Sequence, residues 1–278
     1  MDKRKVIVEI ETADGQLARF DGLNVKFTIK KSANAVMNKA EIGIANLSME
    51  RVYNLTTFMS PYLNAEKRKL VQIYAGYVKN ADDEVPLIFQ GEITRALPTM
   101  PPDVWLNCEA RSGFYNNQNV VSVSLNGATT VRDICANAAR ELGLQLNYTA
   151  MVNKAVEGFS HGGGGTNMLA RINELGGVIA FEDDGVLKVL DADKPETSDY
   201  IRVLNRHSGL IGIPQPDSMG LKMKMLLDPT FKVGDRIELE SEMLPKANGV
   251  YWCYALTHSG SLRDTDFYTE IEVKRMDL

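Results

Sequence analysis

The run His161-Gly162-Gly163-Gly164-Gly165 comes nearest, by residue type and spacing, to a loop that could do chemistry. A histidine before several glycines is typical of esterase oxyanion loops, and a glycine-rich loop before a helix can cradle a phosphate. The first chemistry needs a Gly-x-Ser-x-Gly elbow directly after a strand, and we expect none here. The second needs a lysine closing the loop, whereas Thr166 and Asn167 follow the glycines. We therefore predict a flexible connector at 162–165, with Thr166 or Asn167 capping the next helix.

The histidines and the acidic pairs do not have the spacing of a metal site or an acid–base site. His161, His207 and His258 form no H-x-H or H-x-x-x-H pair, so each is predicted to lie at the surface or at a strand end. Asp183-Asp184-Gly185 is typical of a hairpin turn, and adjacent carboxylates at such a tip are expected to face water. The same holds for the polar loop 82–84. No catalytic residue, metal ligand or cofactor is therefore predicted.

The overall composition is that of a soluble globular protein with room for two or three domains. The chain has 278 residues, 44% of them hydrophobic and 24% charged, and its net charge is −5. Proteins that grip DNA phosphates over a broad face carry a basic excess, so the charge argues against that class. Cys108, Cys135 and Cys253 are far apart and are predicted to be buried thiols. We expect no signal peptide and no membrane span, because no run of about 18 apolar residues occurs.

Residues 1–112 alternate hydrophobic and polar side chains in short runs that are separated by turn residues. In residues 23–30 the odd positions are hydrophobic and the even positions polar, which is the pattern of a half-buried strand. Further strands are predicted at 6–10, 39–47, 70–77, 87–95 and 104–111. One helix is predicted at 49–58, with Ser48 as its N-cap. This spacing of short strands predicts a first antiparallel barrel.

Residues 113–200 have a mixed pattern that predicts a small α+β insert. An amphipathic helix is predicted at 131–142, after a threonine cap and before Gly143. A second helix is predicted at 168–175. A short strand at 144–149 and a hairpin around Asp183-Asp184-Gly185 complete the insert.

The barrel pattern returns in residues 201–278. Leu221, Met223 and Met225 alternate with glycine and lysine, and Asp228-Pro229 then forces a turn. Further strands are predicted at 236–240, 250–258 and 267–273. The strand at 250–258 carries large side chains on both faces, so both should be covered, one by the barrel core and the other by the insert or a neighbouring subunit. The chain is therefore predicted to be a β-dominated α+β protein with two antiparallel barrels and an insert between them.

Three groups of residues, taken in order, resemble the baseplate hub proteins of tailed bacteriophages. Residues 40–48, 73–77 and 88–93 resemble the first tail-tube-like barrel of that family. Residues 130–134 and 174–177 resemble its insert. Residues 208–214, 227–229, 233–235 and 248–251 resemble the second barrel of the family. The similarity covers nearly the whole chain and keeps its order.

The resemblance implies a structural role without catalysis. A hub of this kind would close as a homotrimer, so that three chains supply six barrels. The ring would join a six-fold tail tube protein to a three-fold central spike protein, contact other baseplate proteins, and leave a channel through which genome DNA passes. The protein would then belong to the virion tail baseplate and be assembled in the host cytoplasm.

Two turns hold the candidate contacts with neighbouring subunits or the tube: Asn46, Leu47 and Ser48 before the first helix, and Leu210, Ile211, Ile213 and Pro214 in the loop 209–214. The alternative for both is that they are simply corners of the barrels. Two other functions stay open, namely the hub of a contractile bacteriocin or type VI-like injection machine, and a virion-associated cell-wall hydrolase. The hydrolase lacks a paired-carboxylate or metal constellation in the sequence.

Overall fold

The structure is a computed structural model that describes residues 3–12, 15–57, 69–80, 82–192 and 200–276. The elements in the first part of the chain are β1 (Lys3–Glu11), β2 (Leu17–Asp21), β3 (Val25–Ser32), β4 (Lys39–Ala45), α1 (Met49–Leu55), β5 (Leu70–Val78), β6 (Leu87–Pro98) and β7 (Trp105–Arg111).

The middle of the chain contains α2 (Phe114–Gln118), β8 (Val121–Thr130), α3 (Val131–Leu142), β9 (Gln145–Tyr148), β10 (Ala155–Gly163), α4 (Gly165–Glu174), β11 (Val178–Asp183) and β12 (Val186–Asp191). The last part contains β13 (Ile201–Leu204), β14 (Leu210–Pro216), β15 (Leu221–Leu226), β16 (Arg236–Leu239), β17 (Gly249–Ser261) and β18 (Phe267–Arg275). The β-dominated class with large antiparallel sheets is thereby confirmed.

The strands of both predicted barrels belong to one continuous sheet. Its order is β14-β15-β18-β17-β3-β4-β7-β6-β5-β1-β2. The long strand β17 joins the two regions, because one of its sides pairs with β18 and the other is shared. Residues 249–252 of that other side pair with β16, and residues 255–261 pair with β3. The sequence predicted two barrels with an insert between them but did not predict this direct joining.

Hydrophobic alternation gives each region a core. In β3 the side chains of Val25, Phe27 and Ile29 are buried and those of Lys26 and Lys30 are exposed, as the alternation predicted. The first core lies among β1–β7. A second core gathers the inward side chains of β15–β18 with two residues of the insert, Phe181 and Leu190.

Strand β17 is covered on both faces, as its large side chains predicted. Tyr251, Trp252 and Cys253 are all buried in the second core, and the insert residue Phe181 belongs to the same cluster. The cysteine prediction is also confirmed, since Cys108, Cys135 and Cys253 are buried free thiols. Burial raises the pKa of the Cys135 thiol to about 12, so this group is protonated at neutral pH.

The insert contains elements that the sequence pattern did not predict. Helix α3 matches its predicted bounds, with Thr130 as N-cap and Gly143 as C-cap in the left-handed region at φ 65°. However, β8, β10 and α2 were missed, and α4 begins at Gly165 with Gly164 as N-cap, so the predicted caps Thr166 and Asn167 were wrong. Helix α1 ends at Leu55, where Thr56 is extended, so its predicted end at residue 58 was three residues too far.

The glycine run is packed rather than a flexible connector, so that prediction was wrong. Gly162 and Gly163 pair with β8 as part of β10. A side chain on Gly165 would place its Cβ only 2.5 Å from a methyl carbon of Leu142, so α3 and α4 approach closely because position 165 lacks one.

Arg4 on β1 ties the first barrel region to the loop between β17 and β18. Its guanidinium donates hydrogen bonds to the carbonyl oxygens of Ser261 (3.3 Å), Asp264 (2.6 Å) and Thr265 (3.0 Å). It also stacks over the ring of Phe267 at 5.1 Å. One side chain therefore satisfies several carbonyl groups of a loop that is remote in sequence.

Arg4→Ala is expected to lower the free energy of unfolding by about 1–2 kcal/mol, because the loop carbonyls lose their donor and the ring its cation. Lys3→Ala is the matched control on the same strand and should change stability by less than about 0.5 kcal/mol, since Lys3 is exposed. Urea denaturation of both variants tests this, and equal midpoints would contradict it.

Candidate assembly surfaces and the buried junction

The sequence does contain a Gly-x-Ser-x-Gly match, in residues 158–162, so its expected absence was wrong. In the structure, however, this segment does not form a nucleophile elbow. Ser160 lies within β10, opposite Ser124 of β8, and not at a turn from a strand into a helix. His161 Nε2 is buried and makes no hydrogen bond among the described residues, so the structure shows no Ser–His hydrogen bond through this atom.

The three histidines are spread over the molecule, and one of them corrects the surface prediction. His207 is exposed, as predicted, and His161 is half-buried. His258, however, is buried, with Nδ1 2.9 Å from Thr269 Oγ1. Burial, followed by the charge of Lys31, lowers the pKa of His258 to about 3, so its ring is neutral. The alternation in the sequence did not indicate this, because the register shift between Cys253 and Ala255 moves the inward positions of β17 to Leu256 and His258.

Part of the joined sheet presents one open polar face, which we call the open sheet face. It is defined by outward side chains of β15, β18, β3, β4 and β7: Lys222, Lys224, Glu270, Glu272, Lys26, Lys30, Lys39, Glu41, Glu109 and Arg111. These charges are mixed along the strands; for example, Lys222 pairs with Glu270 at 3.2 Å. A groove of about 570 Å³ lies on this face, beside Lys26, Glu41 and Glu109. The face is therefore concave, hydrophilic and of mixed charge.

The first candidate contact turn has a clear local structure. Asn46 is exposed and adopts a positive φ of 61°, which asparagine tolerates in tight turns. Leu47 packs against the first core, and Ser48 caps α1 by accepting a hydrogen bond from the N–H of Arg51. The exposed apolar residues here are instead Met49 (72%) and Tyr53 (67%) of α1, which the sequence reasoning did not select.

The second candidate contact segment is an edge strand, so its description as a loop was wrong. Strand β14 pairs with β15 and ends the order of the described sheet. Its register shifts between Ile211 and Gln215, where Gly212 has a φ of 73°. The glycine and prolines that indicated a loop fit a bulged edge strand, because an unpaired edge does not need every N–H.

The side chains of β14 divide between the core and the surface. Leu210 packs against the second core, and Pro214 is buried. Ile211 (38% exposed) and Ile213 (52% exposed) point outward and border a groove of about 270 Å³ together with Lys222 and Lys224. Of the predicted contacts in this segment, these two isoleucines are available on the surface of a single chain.

The predicted hairpin tip Asp183-Asp184-Gly185 is not solvated, which corrects the sequence reading. Asp183 is buried and lies between two lysines, with Lys31 Nζ at 2.8 Å and Lys188 Nζ at 2.6 Å. Asp184 accepts from Lys31 at 2.5 Å and from the N–H of Gln90 at 3.0 Å. The tip of the insert hairpin is therefore docked onto β3 and β6 of the first barrel region by a buried ion network.

The electrostatics of this junction favour its charged form. Burial alone would raise the pKa of Asp183, but Lys31 and Lys188 overcome that effect and hold the pKa well below its ordinary value. Burial alone would lower the pKa of Lys31, but Asp183 and Asp184 raise it above the ordinary value. A signal was present in the sequence, since Lys31 continues the inward phase of Val25, Phe27 and Ile29.

Lys31→Met is expected to lower the free energy of unfolding by about 3 kcal/mol or more, because it leaves buried carboxylates without a counter-charge. Lys30→Met changes the neighbouring, exposed position of β3 and should have an effect below about 0.5 kcal/mol. The difference in the free energy of unfolding between Lys31→Met and the wild type should have its full size at pH 7. It should shrink as the pH falls below the ordinary aspartate value of 3.8, because the unfolded chain then binds a proton that Asp183 of the folded wild type, with its lowered pKa, does not yet bind. Guanidinium denaturation at pH 7 and pH 3 measures both effects, and an equal cost for the two lysines would refute the junction's role.

Other kinds of site find no support among the residues that the structure describes. No group of three or more His, Cys, Asp or Glu side chains in that part of the chain is arranged to hold a metal ion. In the same residues, no helix has the length and apolar composition needed to cross a bilayer.

Comparison with known families gives one match over nearly the whole chain. The model of the family described as baseplate hub gp41 matches residues 5–273. Among curated protein sequences, no match was found.

Solved structures with the same fold come from tail proteins and a secretion system. The 43 kDa tail protein of prophage MuSo2 from Shewanella oneidensis has 11% identity and a TM-score of 0.67, covering 99% of this chain and 98% of that one. The tail protein from Neisseria meningitidis MC58 also has 11% identity and a TM-score of 0.67, covering 97% and 96%. The Escherichia coli c3393 protein, a component of the type VI secretion system, has 12% identity and a TM-score of 0.59, covering 91% and 74%.

Proposed function

Since this chain belongs to the baseplate hub gp41 family and is a structural hub protein of a phage tail baseplate, we propose that three copies of it close into a ring around a channel for genome DNA. In this arrangement each chain contributes two tail-tube-like barrels, residues 1–112 and 201–278, and the insert 113–200 lies between them. The ring joins the six-fold tail tube protein to the three-fold central spike protein and contacts other baseplate proteins. It is assembled in the host cytoplasm, needs no cofactor and performs no catalysis.

The observation that carries this proposal is the joining of both barrel regions through β17 and β3. A ring of three chains presents six equivalent barrels only if the two barrels of one chain hold a fixed relation to each other. A backbone ladder fixes that relation more firmly than a flexible linker does. The shared strand therefore matches what an adapter between three-fold and six-fold partners requires.

The open sheet face is the surface that we assign to the channel. A passing DNA duplex presents closely spaced phosphates, and every phosphate that a basic side chain neutralises adds affinity that would slow transit. On this face Lys39 lies opposite Lys30 and Arg111, and Glu41 lies opposite Glu109. This basic row is next to the acidic pair, so the basic side chains of β4 and β7 each have an acidic one two positions along the same strand. The arrangement keeps the wall hydrophilic without giving it a strong hold on phosphates.

The contacts between subunits or with the tube are assigned to the two predicted segments: Asn46, Leu47 and Ser48 with helix α1, and Leu210, Ile211, Ile213 and Pro214 in β14. The exposed isoleucines of β14 support this, because apolar side chains on an open sheet edge are exposed to water in a single chain and would be buried in an assembly.

A hub in a related injection machine is the second candidate. The structural similarity to the type VI secretion component favours it over a cell-wall hydrolase, which has no supporting constellation in the described residues. The two hub functions use the same ring and differ in the tube and spike that it meets.

The wild-type protein is expected to have three times the 30.8 kDa mass of one chain when light scattering is coupled to size exclusion. Ile213→Asp should yield a folded monomer, because a charge at this exposed edge position opposes burial between subunits. Met151→Asp, at a residue that is 92% exposed in the insert, is the control and should stay trimeric. A wild-type monomer at all concentrations would count against the ring, and a trimeric Ile213→Asp protein would count against the role of β14.

Replacing both Glu41 and Glu109 by lysine is expected to turn the open sheet face into a DNA-binding surface. Fluorescence anisotropy with a short duplex should show tight binding. The logarithm of the association constant should fall linearly with the logarithm of the salt concentration, with a slope of about −0.9 per phosphate contact. The wild type should bind weakly. The control changes Glu141 and Glu157, which are exposed in the insert, to lysine and has the same net charge. Equal binding by both variants would show that net charge alone, and not this face, determines DNA affinity.

A further inference from the structure

Glu182, near the end of β11, is half-buried in the joint between the insert and the first barrel region. Its carboxylate presses against Gly113, so closely that a Cβ at that position would overlap Glu182 Oε2. Gly113 is the N-cap of α2 and has a φ of 56°, which an alanine would adopt only with strain. The main chain of Glu182 is held as well, because its carbonyl oxygen accepts from Asn38 Nδ2 at 3.1 Å.

A second carboxylate approaches this point from the first barrel region. Glu92 on β6 is 7% exposed, and its Oε2 accepts a hydrogen bond from the N–H of Phe114 at 2.6 Å. Glu92 therefore anchors the start of α2 while Glu182 packs against the residue just before it. The joint brings two acidic side chains from different parts of the fold to one end of a short helix.

Side chains of helix α2 form hydrogen bonds with the ends of both long helices of the insert. Asn116 Nδ2 donates to the carbonyl oxygen of Leu142, at the end of α3 (2.6 Å). Asn117 Oδ1 accepts from the N–H (2.6 Å) and the hydroxyl (3.0 Å) of Thr166, at the start of α4. A displacement of α2 from β6 would therefore disturb the ends of α3 and α4.

The surroundings of Glu182 disfavour its charge. Burial, then the charges of Glu92, Asp184 and Asp183, raise the pKa of Glu182 to about 7, and Lys31 on β3 opposes them. A cavity of about 20 Å³ borders Glu182, Asn116 and Asn117, which is room for about one water molecule.

We propose that the Glu182–Glu92 carboxyl pair makes the joint between the first barrel region and the insert sensitive to protons. One proton on the pair keeps α2 and β11 closed onto β6. Its loss places the charge of Glu182 near those of Glu92, Asp183 and Asp184, with Lys31 opposing them and Arg111 of β7 lying opposite Glu92, and the joint loosens. This inference does not depend on the trimer, because every group in it belongs to one chain.

The sign of the effect follows from linkage. The closed joint binds the proton more tightly than an open, solvated one, whose glutamate has the ordinary value of 4.5. Closure is therefore most favourable below that value, and its advantage is lost as the pH rises through about 7. Between pH 5.5 and pH 8.5 the opening equilibrium should increase by more than about tenfold.

Hydrogen–deuterium exchange with mass spectrometry at pH 5.5 and pH 8.5 tests the proposal, after correction for the intrinsic exchange rates. Peptides that cover α2 and β11 should lose protection by more than about tenfold at pH 8.5, and peptides from β3 and β4 should not change. Glu182→Gln should remove the difference and keep the pH 5.5 protection at pH 8.5. Glu141→Gln, an exposed change on α3, is the matched control and should behave as wild type.

Two outcomes would overturn the proposal. The first is equal corrected protection of α2 and β11 in the wild type at both pH values, and this result needs no variant. The second is a pH dependence that survives in Glu182→Gln. Should that variant fail to fold, Glu92→Gln replaces it and must reduce the pH dependence, because the first charged neighbour of Glu182 has been removed.

Discussion

The backbone ladder along β17 is the constraint on which the rest of the structure depends. The strand changes partner between residues 252 and 255 without a gap in its hydrogen bonds. There the N–H of Cys253 donates to the carbonyl of Asp235 (2.9 Å), and the N–H of Ala33 donates to the carbonyl of Tyr254 (2.8 Å). A buried strand must satisfy each of these groups, so this crossing fixes the position of β16 relative to β3 and, with it, one barrel region relative to the other.

The insert is fixed to this frame by polar contacts as well as by hydrophobic ones. Phe181 and Leu190 enter the second core, while Asp183 and Asp184 meet Lys31 on the first barrel region. A buried ion network is a weak source of net stability, since desolvation offsets much of the attraction. It does penalise every arrangement in which the charges lose their partners. We infer that the network specifies where the insert hairpin docks, and that the hydrophobic contacts supply most of the stability.

Alternation of side chains predicted the strands of this protein well, but it did not predict which strands meet. Lys26 and Lys30 lie outside and Phe27 inside because burial follows a period of two, which a single segment reveals. The pairing of β17 with β3 joins residues more than 200 positions apart and has no local signature. The burial of Asp183 likewise depends on a residue distant in sequence, Lys31. The glycine run misled for another reason, because close packing of Gly164 against Asn117 and of Gly165 against Leu142 selects glycine as strongly as flexibility does.

The distribution of charge connects these structural features to the role of a hub. At the junction of the insert, buried Asp183 has two lysines as partners, and half-buried Glu182 has an acidic neighbour. Charges of both signs lie on the open sheet face, where Lys222 pairs with Glu270. A net charge of −5 for the whole chain says little about either region, because the fold places the same residue types both in the junction of the insert and on the exposed sheet face. In the ring that we propose, this sorting matters more for the passage of DNA than the total charge does.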